Sequence, residues 1–371
     1  MRIGVPKEIK NHEYRVGLTP ASVRELCARG HEVLVESGAG AAIGMTDEQY
    51  LAAGARLSRH AQEIFGSADM IVKVKEPQPA ECAMLRPGQI LYTYLHLAPD
   101  PAQTAALVHS GAICIAYETI TSPNGGLPLL APMSEVAGRM AVQAGAAYLE
   151  RSKGGMGLLL GGVPGVPGAS VVIVGAGVVG ANALQMAVGM GARVTVLDRN
   201  IDRLRQLDLV YGNRIATQFS TTQAVEEVVL GADLVIGGVL IPGAAAPKLV
   251  TRDMIARMKP GSVVVDVAID QGGCFETSVA TTHAEPTFVV DGVIHYCVAN
   301  MPGAVARTST LALNNATIGH ALTIAGKGWK QALREDRHLC AGLNVCEGRV
   351  THEAVAGTLG YEYVPAQRLA A

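Results

Sequence analysis

Short β-branched runs alternate with amphipathic segments almost from the first residue, and this alternation governs the reading of the whole chain. The runs RIGVP (2–6), HEVLVE (31–36), MIVKVK (70–75), ILYTYLHL (90–97) and AICIAYE (112–118) have the length and composition of strands. Helical stretches lie between them. The clearest is TPASVRELCARG, where Thr19 can cap, Pro20 takes the first helical position and Gly30 closes the end. Strands separated by helices pair in parallel through crossovers, so about the first 125 residues read as one doubly wound α/β domain.

Turn formers crowd the segment SPNGGLP (122–128), and a long helical stretch follows it. A second alternation then runs through SVVIV (170–174), RVTVLD (193–198), ATQFS (216–220), DLVIGG (233–238), SVVVDVAID (262–270) and HYCVAN (295–300). From Thr308 to about Gly342 the pattern is helical, and the remaining residues give weak signals. That tail is expected to rejoin the first domain. The expected fold is therefore α/β, with two doubly wound parallel-sheet (Rossmann-like) domains separated by a cleft. One is a discontinuous substrate domain of residues 1–128 and 307–371, the other a dinucleotide-binding domain of residues 129–306.

Composition changes this picture in three places. No charged residue occurs from Gly154 to Ala192, a stretch longer than the roughly 20 residues that span a bilayer. Its many glycines, with Pro164 and Pro167, break it, and its only dense apolar run is SVVIV, so a strand, turn and helix are expected and a membrane span is not. The formal charge of −2 gives no footprint for phosphate backbones, so nucleic acid is not an expected partner. Seven cysteines without a CxxC pair, and charges at Arg2, Lys7, Glu8 and Lys10 where a signal peptide would be apolar, point to a reduced, cytoplasmic protein.

The strand SVVIV leads directly into Gly175-Ala-Gly177-Val-Val-Gly180, then a helical segment, then a strand ending in Asp198. The first glycine permits a tight turn, the second lets backbone approach a diphosphate, and the third lets helix pack on strand. Free amides at the helix start attract the diphosphate. Asp198 is placed to take the adenine-ribose hydroxyls, which favours NAD over NADP; the neighbouring Arg199 works slightly against that preference.

In open α/β sheets ligands collect beyond the carboxyl ends of the strands. The polar residues there are Glu13 and Arg15 after the first strand, Lys75, His96, Tyr117 with Glu118, and Asp270 in the second domain. Arginine can fork a carboxylate, lysine can serve as a point charge, and histidine can move a proton near neutral pH. Each also has a plain reading: Lys73 and Lys75 as solvated strand-end charges, Arg15 as a loop charge, Asp266 and Asp270 as turn caps. No HExxH, His/Cys cluster or GxSxG occurs, so neither metal-assisted hydrolysis nor a serine nucleophile is supported.

With these residues in view, the chain resembles the alanine dehydrogenase and transhydrogenase α-subunit family over nearly its whole length. The likeness rests on MRIGVPKEIKNHEYRVGLTP, KVKEP, YLHLA, LPLLAPMSEVAGR, GGVPGVPG, VDVAIDQGGCFE and HYCVANMPGAVARTST. It implies reversible oxidation of L-alanine by NAD and water to pyruvate and ammonium. It further implies that Arg15 and Lys75 bind substrate, that His96 is the proton donor and acceptor, and that Asp270 is the second catalytic residue. Ser134, Gly175, Gly177, Val178, Gly180, Asp198, Arg203, Ser220, Val239, Leu240, Ile269, Val298, Asn300 and Met301 match cofactor-lining positions. Some members hold a divalent ion in the late helix; here that region reads ALTIAGKGWK and no metal is expected. The family is commonly homohexameric. Three alternatives stay open: a membrane-partnered transhydrogenase subunit, saccharopine-type lysine dehydrogenase chemistry, and a non-catalytic NAD-binding scaffold.

Overall fold

The computed structural model describes residues 1–239 and 246–370. The described chain forms two compact units, one of residues 1–133 with 305–371 and one of residues 134–304. Strands of the first unit are β1 (Arg2–Val5), β2 (Glu32–Glu36), β3 (Arg56–Ser58), β4 (Met70–Val72), β5 (Ile90–Thr93) and β6 (Ile113–Ala116). Those of the second are β7 (Ser170–Val174), β8 (Arg193–Asp198), β9 (Ile215–Phe219), β10 (Leu234–Gly237), β11 (Val263–Asp266), β12 (Thr287–Val290) and β13 (Val293–Tyr296). After the helix Ala306–Lys327, β14 (Leu343–Cys346) and β15 (Arg349–Val350) complete the first sheet.

The first sheet has the order β15-β14-β6-β5-β4-β1-β2-β3, and the second β12-β13-β11-β10-β7-β8-β9. Both are parallel except that β14 runs antiparallel to β6 and β15, and β12 antiparallel to β13. The central strands are buried on both faces, as in Ile3, Val5, Ile71, Leu91 and Ile115 of the first unit and Val172, Val174, Val235 and Val264 of the second. The first crossover helix, Pro20–Ala28, starts as its sequence requires: the Thr19 hydroxyl accepts from the Ser22 N–H at 3.2 Å, with Pro20 next. No helix among the described residues is long and apolar enough to cross a membrane.

Several strands stop earlier than their alternation predicts, and three of them end at a carboxylate contact. The runs to Lys75, Leu97 and Asp270 leave the sheet at Val72, Thr93 and Asp266. In each case a carboxylate captures backbone N–H groups that a continued ladder would have used. Glu8 accepts from Val74 N at 2.6 Å, Glu118 from His96 N at 2.6 Å, and Asp266 from Ala268 N at 3.1 Å. Of the strands absent from the sequence reading, β3 and β12 are four residues or shorter and lie at sheet edges. The β14–β15 hairpin turns through Glu347 (φ 50°) and Gly348 (φ 81°), two successive left-handed residues that suit a tight two-residue turn.

Candidate active site

β6, β5, β4 and β1 are consecutive parallel neighbours, so the segments that follow them emerge along one edge of the first sheet. Those segments carry Arg15, Lys75, His96 and Glu118. Arg15 is not a solvated loop charge: it is 2% exposed, and Glu13 forks it, with Nε donating to Oε1 at 2.7 Å and Nη2 to Oε2 at 2.6 Å. Its Nη1 lies 3.1 Å from the Met133 sulfur. A guanidinium has five donors, so a fork on Glu13 is compatible with a second carboxylate. The loop after Arg15 is held by the helix Ala306–Lys327, where Asn314 accepts from Thr19 N at 2.8 Å and donates to Gly17 O at 3.2 Å.

Lys73 likewise departs from the solvated reading. Its ammonium is fully buried between Glu8 (2.9 Å) and Glu81 (2.7 Å). Burial alone would lower its pKa, yet the two carboxylates reverse this and raise it, so Lys73 stays charged. Two residues on, Lys75 is half-buried and stands 3.9 Å from Glu76, which also pairs with Lys10. Against the upward push of burial, Lys75 and Lys10 hold the Glu76 carboxyl below its ordinary range.

His96 sits in a left-handed backbone conformation (φ 50°). Glu118 accepts from the N–H groups of Leu95 (3.1 Å) and His96 (2.6 Å), fixing a geometry that side chains with a Cβ seldom adopt. The imidazole stacks on Tyr94, with ring centroids 5.7 Å apart, and Nδ1 lies 3.9 Å from Glu118 Oε1. Tyr94 donates to Leu129 O at 2.5 Å. Burial pushes its hydroxyl pKa far up, Arg15 pulls it down and Glu118 pushes it up, so Tyr94 responds to charges associated with two of the expected substrate residues. Glu8, Glu118 and Tyr94 were not assigned roles from sequence; a carboxylate that works through backbone N–H groups far along the chain leaves no local motif.

In the second unit the glycine turn has the geometry its spacing requires. Gly175 has φ 98°, a Cβ on Gly180 would lie 1.8 Å from Gly175 O, and a Cβ on Gly177 would meet nothing within 4 Å. Contact closes the turn at the first and third glycines and leaves the middle one open to a ligand. The helix Val178–Gly189 starts there, between β7 and β10, where the strand order reverses direction. Val178 is exposed at the helix start. Asp198 ends β8 and accepts from Ala176 N (2.6 Å, Oδ2) and Asn200 N (2.7 Å, Oδ1). A carboxylate has about four acceptor sites, so ribose hydroxyls can still be taken. Arg203 Nε donates to Ala176 O at 2.8 Å, which ties it to the same turn.

The other expected cofactor positions follow the carboxyl ends of the strands. Ser220 comes after β9 and donates its N–H to Asp198 O at 3.0 Å; Val239 comes after β10; Val298, Asn300 and Met301 come after β13. Asn300 has φ 62°, and its carbonyl is 3.1 Å from His283 Nε2. Ser134 lies in the helix Ala131–Tyr148, which packs so closely on Val178–Gly189 that a Cβ at Gly138 would lie 2.2 Å from Val179 O. Leu240 lies outside the described residues. Ile269 and Asp270 are displaced from the expected strand into the 3-10 turn Val267–Gln271, Ile269 buried and Asp270 exposed. Asp266, fully buried, staples that turn by accepting from Cys274 N (3.0 Å) and the Ser278 hydroxyl (2.5 Å) as well as Ala268 N. The turn-cap reading therefore holds for Asp266.

A glycine turn at the switch point of one parallel sheet and a row of charged residues at the strand ends of a second define a two-unit nucleotide-binding α/β protein. The N-terminal domain of the alanine dehydrogenase/PNT family matches residues 4–137, and its C-terminal domain matches residues 141–353. An alanine dehydrogenase of Halomonas elongata is 63% identical over 369 residues, covering 100% of both chains. A solved L-alanine dehydrogenase superposes with TM-score 0.94 at 50% identity, covering 97% of this chain and 99% of its own. A solved transhydrogenase from Sinorhizobium meliloti gives TM-score 0.81 at 28% identity, covering 95% of this chain and all of its own. The chain belongs to the alanine dehydrogenase/PNT family.

Proposed function

We propose that the chain catalyses the reversible oxidative deamination of L-alanine, in which alanine, NAD and water give pyruvate, NADH, ammonium and a proton. The observation that carries this reading is the row of Arg15, Lys75 and His96 at the ends of neighbouring parallel strands, in a chain 63% identical to an alanine dehydrogenase along its full length. NAD, bound at the turn of Gly175, Gly177 and Gly180, supplies the acceptor for the α-hydrogen as hydride. Arg15 takes the substrate carboxylate, and Lys75 the carbonyl oxygen of pyruvate. His96 accepts the proton released when water adds to the iminium carbon and returns it in the reverse direction. Asp270 assists the water and ammonia steps. Holding the α-carbon in register for transfer supplies several kcal/mol of barrier lowering.

Asp198 carries the cofactor preference, because a 2′-phosphate beside a carboxylate is repelled. Purified protein is expected to form NADH with L-alanine, followed by absorbance, and to use NADP far less well. Equal specificity constants for the two would mean that Arg199 outweighs Asp198, and no alanine-dependent reduction at all would return the transhydrogenase-subunit reading. The family resemblance further supports a cytoplasmic homohexamer; light scattering at micromolar protein should give six times the chain mass, and a monomeric mass rejects it.

A further inference from the structure

Lys75 lies outside any regular element, three residues past the end of β4, yet its role needs a fixed ammonium. Its ammonium makes no side-chain hydrogen bond among the described residues, and its ion-pair partner there, Glu76, stands at 3.9 Å. The backbone supplies the rigidity. Glu8 Oε1 accepts from Val74 N at 2.6 Å and from Lys75 N at 3.4 Å, while Glu8 Oε2 takes the buried Lys73 ammonium at 2.9 Å. Lys73 is held from the other side by Glu81 at 2.7 Å, and its carbonyl accepts from the Tyr117 hydroxyl at 3.0 Å. Glu81 also accepts from Gln78 N at 2.8 Å, closing the segment 73–81 on itself.

Two carboxylates and one ammonium, each at most 6% exposed, form a costly arrangement. Burial pushes the Glu8 carboxyl up, and Lys73 with the Val74 N–H works against it. An apolar side chain at position 8 would avoid that cost but could not accept the Val74 N–H. The geometry points to Glu8 as a positioning residue for Lys75: its carboxylate converts the end of β4 into the bent segment that presents the Lys75 ammonium to the substrate oxygen. The same device, a carboxylate that captures backbone N–H groups beyond a strand end, recurs at Glu118 beside His96 and at Asp266 beside Asp270.

This inference rests on the substrate role proposed for Lys75, and a double-mutant cycle separates the two. Glu8→Gln keeps the size of the side chain but turns an amide towards Lys73 or Val74. It is expected to lower kcat for pyruvate amination by about tenfold or more, with NADH affinity by fluorescence unchanged. In a Lys75→Ala background the same substitution should change kcat by less than about twofold, because the residue it positions is gone. An equal fold-loss in both backgrounds, or no loss in the single variant, overturns the positioning role. Should Glu8→Gln not fold, Glu8→Asp replaces it: the charge stays, the reach to Val74 N shortens, and the same cycle is read. A Lys75→Ala variant that retains full activity fails the substrate reading itself, and the positioning role falls with it.

Discussion

Replacing His96 by Ala is expected to slow pyruvate amination by about 10²–10⁴-fold, the range supplied by one positioned general acid or base, while NADH binding persists. Every expected dinucleotide residue that is described lies within 134–304, and His96 lies in the other unit. The Ala variant also removes the stacking on Tyr94 and leaves an ordinary residue at φ 50°, a conformation that favours Gly or Asn. A second variant therefore distinguishes chemistry from loop strain. His96→Asn tolerates the left-handed backbone and leaves the N–H available to Glu118, yet it cannot transfer a proton near neutral pH. Loss of rate in both variants assigns the effect to the imidazole. Recovery in His96→Asn to within a few-fold of the parent would show that only the loop geometry matters, and would remove His96 from proton transfer.

The features legible in the sequence are those whose cause is local. The turn of Gly175, Gly177 and Gly180 needs only its own glycines, the strand before it and the helix after it. Asp198 is read from the strand that follows, and Thr19 and Pro20 mark a helix start by themselves. The ends of β4 and β5 were illegible because their cause is remote, whereas Asp266, which ends β11, lies inside its own run. Alternation of apolar residues runs on through Lys75 and Leu97, and nothing within those runs announces that Glu8, 66 residues before Val74, or Glu118, 22 residues beyond His96, will intercept the backbone. The burial of Lys73 was hidden for the same reason. A lysine between valines reads as solvated until Glu8 and Glu81 are seen to enclose it. Thus the periodicity that located the sheets overran them at the places where the residues proposed for substrate chemistry are displayed.

Arg15 and Lys75 differ in what surrounds them, and the expected kinetics differ accordingly. Arg15→Ala would break a buried ion pair with Glu13, a change costing about 3–5 kcal/mol of stability in comparable buried pairs, so activity alone would be uninformative. Arg15→Lys keeps a positive charge near Glu13 but cannot fork a carboxylate. It is expected to raise the KM for pyruvate roughly 10–100-fold, matching about 1.5–3 kcal/mol for charged hydrogen bonds, with kcat nearly unchanged because a carboxylate anchor acts equally in ground and transition states. Lys75→Ala breaks no hydrogen-bonded ion pair, since Lys75 stands 3.9 Å from Glu76 Oε2 and Lys10 stays on Oε1 of the same carboxylate. If Lys75 polarises the carbonyl as ammonia adds, its loss removes an interaction that strengthens in the transition state, and kcat should fall together with kcat/KM. Steady-state amination kinetics of the two variants, with NADH affinity measured separately by fluorescence, read both patterns. An unchanged kcat in Lys75→Ala would confine it to ground-state binding, and an unchanged KM in Arg15→Lys would leave Arg15 as Glu13's structural counter-ion.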